Sequence, residues 1–324
     1  MVGLIEYELA GADLGDVRFA LSPMNELALS LRTWREPGRY PLMLPWLNRT
    51  EDARSGLDRE LLLALTNESL WTPDFLTPRP RSPLTRFHDE LEVVAATPLD
   101  VVRDDIDEVH PGRRPAVLTG RRDRLLQRIV TALAAYWDAC FEPWWPRMRT
   151  VLEADIVFRG RTIAREGLAA MFADLSPRIQ LVDDVVRVEM TSKVGFRRST
   201  SGEGLTLAPS LFTRNVTAPI SADEAPLILY GARGVGTLWE AEPLGERDAL
   251  ADLLGGVRSR LLALLESPAS STELAVRLGV TTSAVNQHLR ALRDGGLLTS
   301  ARHGRSVLYL RSDLGDRLLT AARR

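Results

Sequence analysis

The stretch TTSAVNQHLRALRDGGLL, residues 281–298, decides the reading of this 324-residue chain. Val285, Leu289 and Leu292 fall at i, i+4 and i+7, so a helix here has one apolar stripe. Thr281 or Thr282 can cap its first turn, and Gly295-Gly296 end it. The opposite face carries Ser283, Asn286, Gln287 and Arg290. Asn and Gln can pair bidentately with adenine, and Arg with guanine or phosphate. Such a face is suited to reading base edges.

The flanks turn an amphipathic helix into part of a motif. In SSTELAVRLGV (270–280), Ser271 or Thr272 can cap a helix whose buried side is Leu274, Ala275 and Leu278, with Gly279 ending it. Two short helices joined through Gly279-Val280 form a helix-turn-helix whose second helix is the recognition helix. In GLLTSARHGRSVLYLR (296–311) apolar residues alternate on both sides of RHGR, which predicts a β-hairpin, or wing. Its tip would offer Arg302, His303 and Arg305 to the phosphate backbone or minor groove. The expected DNA contacts are these three together with Thr282, Ser283, Asn286, Gln287 and Arg290. The chain from Glu246 to Pro268 is one long helix or two meeting at Gly255-Gly256, and 312–322 is a last helix.

Composition agrees with a small nucleic-acid module on a larger body. From Glu246 to Arg324 there are 12 arginines against 8 carboxylates, whereas the whole chain has a net charge of −2. The body is therefore acidic. No run reaches the ~18 apolar residues of a membrane helix. The N-terminus is acidic where a secretion signal would be basic, and the single cysteine excludes an internal disulfide. These features point to a cytoplasmic protein.

The fold class expected is α+β: a helix-dominated N-terminal domain over 1–242 with a small, mainly antiparallel sheet, then a winged helix-turn-helix domain over 243–324. Prolines in TPRPRSP (77–83) and HPGRRP (110–115) mark loops. PLTRFHDELEVVAA, PLDVVRDDIDEV and residues 121–141 read as helices, and 143–175 as another long one. PMNELALSLRTW opens a helix with Pro23 in its first turn. DVRFALS, VVRVEM, GLTLAPSLF and PLILYG read as strands.

The tail, through TELAVRLGVTTSAVNQHLRALRDGGLL and RHGRSVLYL, resembles the winged-helix domain of the ArsR/SmtB family of bacterial repressors. Asn286 stands where that family has Ser. The resemblance implies a homodimer through helices 246–267 and 312–322 on palindromic, double-stranded operator DNA. Metal-sensing members place cysteine pairs near the helix-turn-helix, or Asp and His ligands on the last helix. This tail has no cysteine and no histidine on its last helix, and soft metals want thiolates, so no metal site is expected. His288 matches a structural histidine of the family. WTPDFLTPRP, AYWDACFEPWWPRMRTVLEADI and neighbouring segments resemble an N-terminal domain found before ArsR-type modules in actinomycete regulators, a domain that brings no assigned role.

The body itself offers little chemistry. All seven tryptophans lie there, mostly as core with a minority free to line an apolar pocket. His88, Asp105 and His110 have no standard ligand spacing. Ser210 lacks a nucleophile elbow, GARGVG (231–236) fits a turn, and Cys140 fits a buried small residue. No catalytic residue, cofactor or metal is expected. The reading is a DNA-binding repressor whose body senses a non-metal small-molecule effector or a partner. A fused enzyme and a pure oligomerisation or interaction domain are the alternatives.

Overall fold

The computed structural model describes residues 3–9, 15–80, 85–191, 193–239, 249–265, 268–278, 280–303 and 306–322. The chain divides into two compact units, Met1–Glu240 and Ala241–Arg324. The boundary expected near 242 lies outside the described residues.

The first unit opens with β1 (Gly3–Glu8) and β2 (Val17–Phe19). It continues through α1 (Pro23–Arg35), α2 (Leu44–Arg49), α3 (Glu51–Ser55), α4 (Arg59–Ala64), α5 (Phe87–Ala95), α6 (Leu99–Val109), α7 (Arg122–Tyr136), α8 (Trp145–Glu166) and α9 (Leu168–Leu175). It ends with β3 (Ile179–Val182), β4 (Val185–Met190), β5 (Phe196–Ser199), β6 (Leu205–Ser210), β7 (Val216–Thr217) and β8 (Leu227–Gly231).

Helix α1 is the centre of this unit. Pro23 occupies its first turn, and the Ser22 hydroxyl accepts the Asn25 amide at 3.0 Å. Every residue from Pro23 to Leu31 is buried, including Glu26. A helix buried on all sides must find partners for its polar groups within the protein. Glu90 of α5 does this for one first-turn amide, accepting Met24 N at 2.9 Å. Glu26 reaches outward and accepts Leu211 N, just past β6, at 2.9 Å. Around α1 pack Trp46, Tyr136, Phe141 and Phe212, and the Trp46 indole donates to the Cys140 carbonyl at 3.1 Å.

The sheet content differs from the single, mainly antiparallel sheet expected. Among the described residues of this unit there are two four-stranded sheets, ordered β3-β4-β1-β5 and β2-β6-β8-β7. In the first, β4 is antiparallel to β1 and β3, and β5 is parallel to β1. In the second, β2, β6 and β8 run parallel, and only β7 is antiparallel. The physical reason is visible along β6, buried at every position, and β8, buried at all but its last. A strand covered on both faces reads as a continuous apolar run, which is the mark of a parallel sheet. Strand β1 is not among the expected strands, although Ile5 and Tyr7 alternate inward with Glu6 and Glu8 less buried.

Residues 143–175 are two helices, not one. Gly167 takes φ 88° between α8 and α9, a conformation that L side chains rarely adopt. The residues after α7, Trp137–Phe141, form a π-turn that carries Cys140 inward. Helix α8 brings the buried pair Asp155 and Arg159, 3.5 Å apart, to the second sheet. Asp155 accepts the Tyr230 hydroxyl at 2.7 Å and Arg233 N at 3.0 Å, while Arg159 also pairs with Asp174.

Asp155→Ala leaves the Arg159 charge buried without this partner, and the expected loss is about 3–5 kcal/mol in urea unfolding. Burial pushes both Glu26 and Glu90 up to about 8. Folded, they hold protons that an unfolded glutamate sheds near pH ~4, so their contribution is whole below that pH and is lost as pH rises toward 8. Glu26→Gln keeps an acceptor for Leu211 N and cannot ionise. Its urea midpoint should therefore fall less between about pH 5 and 8 than that of the unchanged chain; parallel profiles would show Glu26 ionised in the fold.

Candidate DNA interface

The second unit is built from α10 (Ala249–Leu254), α11 (Gly256–Leu264), β9 (Ala269–Ser270), α12 (Ser271–Leu278), α13 (Thr282–Asp294), β10 (Leu298–His303), β11 (Ser306–Arg311) and α14 (Asp313–Ala322). Of the two readings of 246–268, two helices stand: Gly255, at φ 84°, separates α10 from α11. Leu261, Leu262, Leu274, Ala275, Val285, Leu289, Leu292, Leu298 and Tyr309 form one core.

The caps resolve the alternatives in the sequence. Thr281, not Thr282, caps α13, its hydroxyl accepting Ala284 N at 3.3 Å. Ser270, rather than Ser271 or Thr272, accepts Glu273 N at 3.2 Å at the start of α12. Ser270 also pairs with Leu308 of the wing, so it ties α12 to the hairpin.

Helix α13 has the two-sided character its sequence implies. Val285 and Leu289 are wholly buried and Leu292 nearly so. Ser283, Gln287 and Arg290 are exposed along the other side, and Thr282 and Asn286 are half-buried beside them. Ser, Asn, Gln and Arg therefore share one helix face with their hydrogen-bonding ends available. His288 is half-buried, and its Nδ1 has no hydrogen-bond partner among the described residues.

The wing is present as a hairpin. β10 and β11 pair antiparallel from Leu298↔Arg311 to His303↔Ser306, and β9 adds a third strand. Arg302, opposite Val307 near the tip, is exposed. His303 ends β10; its side chain and the whole of Arg305 lie outside the described residues. Arg311 turns back to Asp316 of α14 at 2.7 Å, which joins the wing's base to the last helix.

The candidates in the body do not converge. Among the described residues no group of three or more His, Cys, Asp or Glu is placed to hold a metal. His110 Nε2 lies 2.8 Å from the Ala64 carbonyl, and His88 is exposed. Asp105 accepts Phe75 N at 2.7 Å, and burial pushes its carboxyl up to about 6. Ser210 is fully buried with its oxygen taken by Phe212 N at 3.1 Å. GARGVG turns after β8 into a short 3-10 segment. Trp46 and Trp137 are core; Trp34, Trp71, Trp144, Trp145 and Trp239 are half-buried.

A family profile described as a helix-turn-helix domain matches residues 253–301, from α10 into the wing. No curated protein and no solved structure matches the chain. The C-terminal unit thus carries a helix-turn-helix domain, the type of module that places a helix in the major groove. Among the described residues no helix is long and apolar enough to cross a membrane.

Removing the Thr281 hydroxyl tests the local frame of the reading helix. Thr281→Ala should lower the stability of the C-terminal unit by about 1 kcal/mol, measured by thermal melting, because one first-turn amide loses its acceptor.

Proposed function

We propose that the chain is a one-component transcription regulator of ArsR type, a repressor that binds a two-fold symmetric operator as a homodimer. The observation that carries the reading is the face of α13, where Ser283, Gln287 and Arg290 are exposed opposite a fully buried Val285 and Leu289. With α13 in the major groove, Asn286, Gln287 and Arg290 contact base edges, and Thr282 and Ser283 contact the groove near the helix start. Arg302, His303 and Arg305 of the wing lie along the backbone and set register without reading sequence.

The dimer is drawn from helices 246–267 and 312–322. Leu253, Val257 and Leu314, on α10, α11 and α14, are exposed at 69%, 44% and 48%. Apolar side chains left open on the expected contact helices support a second copy as their cover. The N-terminal unit senses a non-metal signal and is not an enzyme, since the polar residues singled out in it are engaged by its own backbone or stand apart. Its signal alters how the two recognition helices meet half-sites about one helical turn apart.

Selection from random duplexes followed by mobility shifts tests the DNA reading. Asn286→Ala and Arg290→Ala should each relax preference at particular base pairs by roughly 1–3 kcal/mol. Arg302→Ala should weaken all sequences alike and reduce the salt dependence of binding. Uniform weakening by all three would mean that α13 does not read bases.

A further inference from the structure

The N-terminal unit contains a cleft whose chemistry differs from the rest of that acidic body. It lies between the end of α1, the 69–71 segment, the end of β4 and β7. Its volume is ≈ 170 Å³, and Arg32, Arg39, Arg178 and Arg214 all line it together with Tyr40. Among the described residues none that lines it is a carboxylate. Four guanidiniums with no carboxylate in the same wall repel one another, and an anion among them relieves that repulsion. Three of them converge: Arg32, Arg39 and Arg214 all act on the Tyr40 hydroxyl, which burial otherwise pushes up.

Arg32 is the most telling of the four. Burial pushes its guanidinium down, and its hydrogen bond among the described residues is a long one, 3.4 Å to the Thr72 hydroxyl. The nearby carboxyl of Asp74 acts on Arg32 without pairing with it, its hydrogen bonds going to Ile220 N at 2.7 Å and Ser221 N at 2.9 Å. Among the described residues Arg32 makes no ion pair. A partly desolvated cation with no directly paired anion is costly, and a bound anion relieves that cost.

Two further observations are independent of the arginines. Thr213, also lining the cleft, is 9% exposed, and its hydroxyl is shut off from solvent with no hydrogen-bond partner among the described residues. Leu70 in the wall holds φ 63°, a conformation uncommon outside glycine. Arg32 also lines a smaller space of ≈ 40 Å³, walled by Leu29, Ala218 and Leu229 together with Asp74.

The geometry points to this cleft as a binding site for a small organic polyanion, a phosphate ester or a di- or tricarboxylate. Its charged groups meet the four guanidiniums that line the cleft. The assignment of this ligand as the regulator's signal rests on the function proposed above; the site itself does not.

Calorimetry on the full chain with citrate and with glucose 6-phosphate separates the two ligand classes, with glucose as the neutral control. At least one anion should bind with saturation below about 1 mM, and glucose should not. Arg39→Ala and Arg214→Ala, at exposed positions, should each weaken binding roughly tenfold. Arg122→Ala, an exposed arginine on α7, should bind like the unchanged chain. Absence of saturation with both anions, or equal weakening by Arg122→Ala, overturns the site. Mobility shifts at constant ionic strength then read the coupling. Release of operator by the binding anion, lost in Arg214→Ala, supports the signal assignment. Unchanged operator affinity beside saturable binding overturns that assignment and leaves the site standing.

Discussion

The N-terminal unit depends on one constraint, the full burial of α1. A helix with water on no side cannot send a stray donor or charge into solvent, so its neighbours must be chosen to receive them. Glu90 takes the Met24 amide, and Glu26 is sent across to the turn after β6. These two carboxyls tie α5 and the second sheet to the same helix at its two flanks. Burial keeps both protonated well above the usual carboxylate range, so they act as neutral hydrogen-bonding groups, which is the less costly way to bury an acid. The same helix, where it nears the surface, carries Arg32 into the arginine-lined cleft. Arg32 is the charged side chain that α1 brings to its open end.

The C-terminal unit works on the opposite principle. Its helices are short and each buries a single stripe, so the residues on the other side are free to serve contacts. That is why the tail was legible in sequence: a period of 3.6 with caps and glycine stops names both the core face and the reading face of α13. What sequence left open there was local chemistry. Thr281 and Thr282 are equivalent to a pattern reader, and only the geometry shows the Thr281 oxygen over Ala284 N. Likewise Ser270 caps α12 because it also pairs with the wing, a contact made across the fold and invisible in its immediate neighbours.

The body was legible in its helices and poorly legible in its sheets. Strand pairing is a long-range property: β1 joins β4 across most of the unit, and β6 joins β2 and β8 in parallel. A continuous apolar strand says that both faces are covered, not which strands flank it. The cleft was hidden for the same reason. Arg32, Arg39, Arg178 and Arg214 are scattered over more than half of the unit, among many other arginines. Only the fold shows that these four share a wall without a carboxylate among them.

Cys140 gives the body an unplanned property. It is the sole cysteine of the chain, it is buried in the π-turn under Trp46, and burial pushes its thiol up to about 11. Only the thiolate attacks an alkylating reagent, so the native thiol is protected twice, by access and by its proton. Its alkylation rate is therefore a clock for openings of the α1 core, readable without any added probe. A cysteine introduced elsewhere on the surface would carry a label alone.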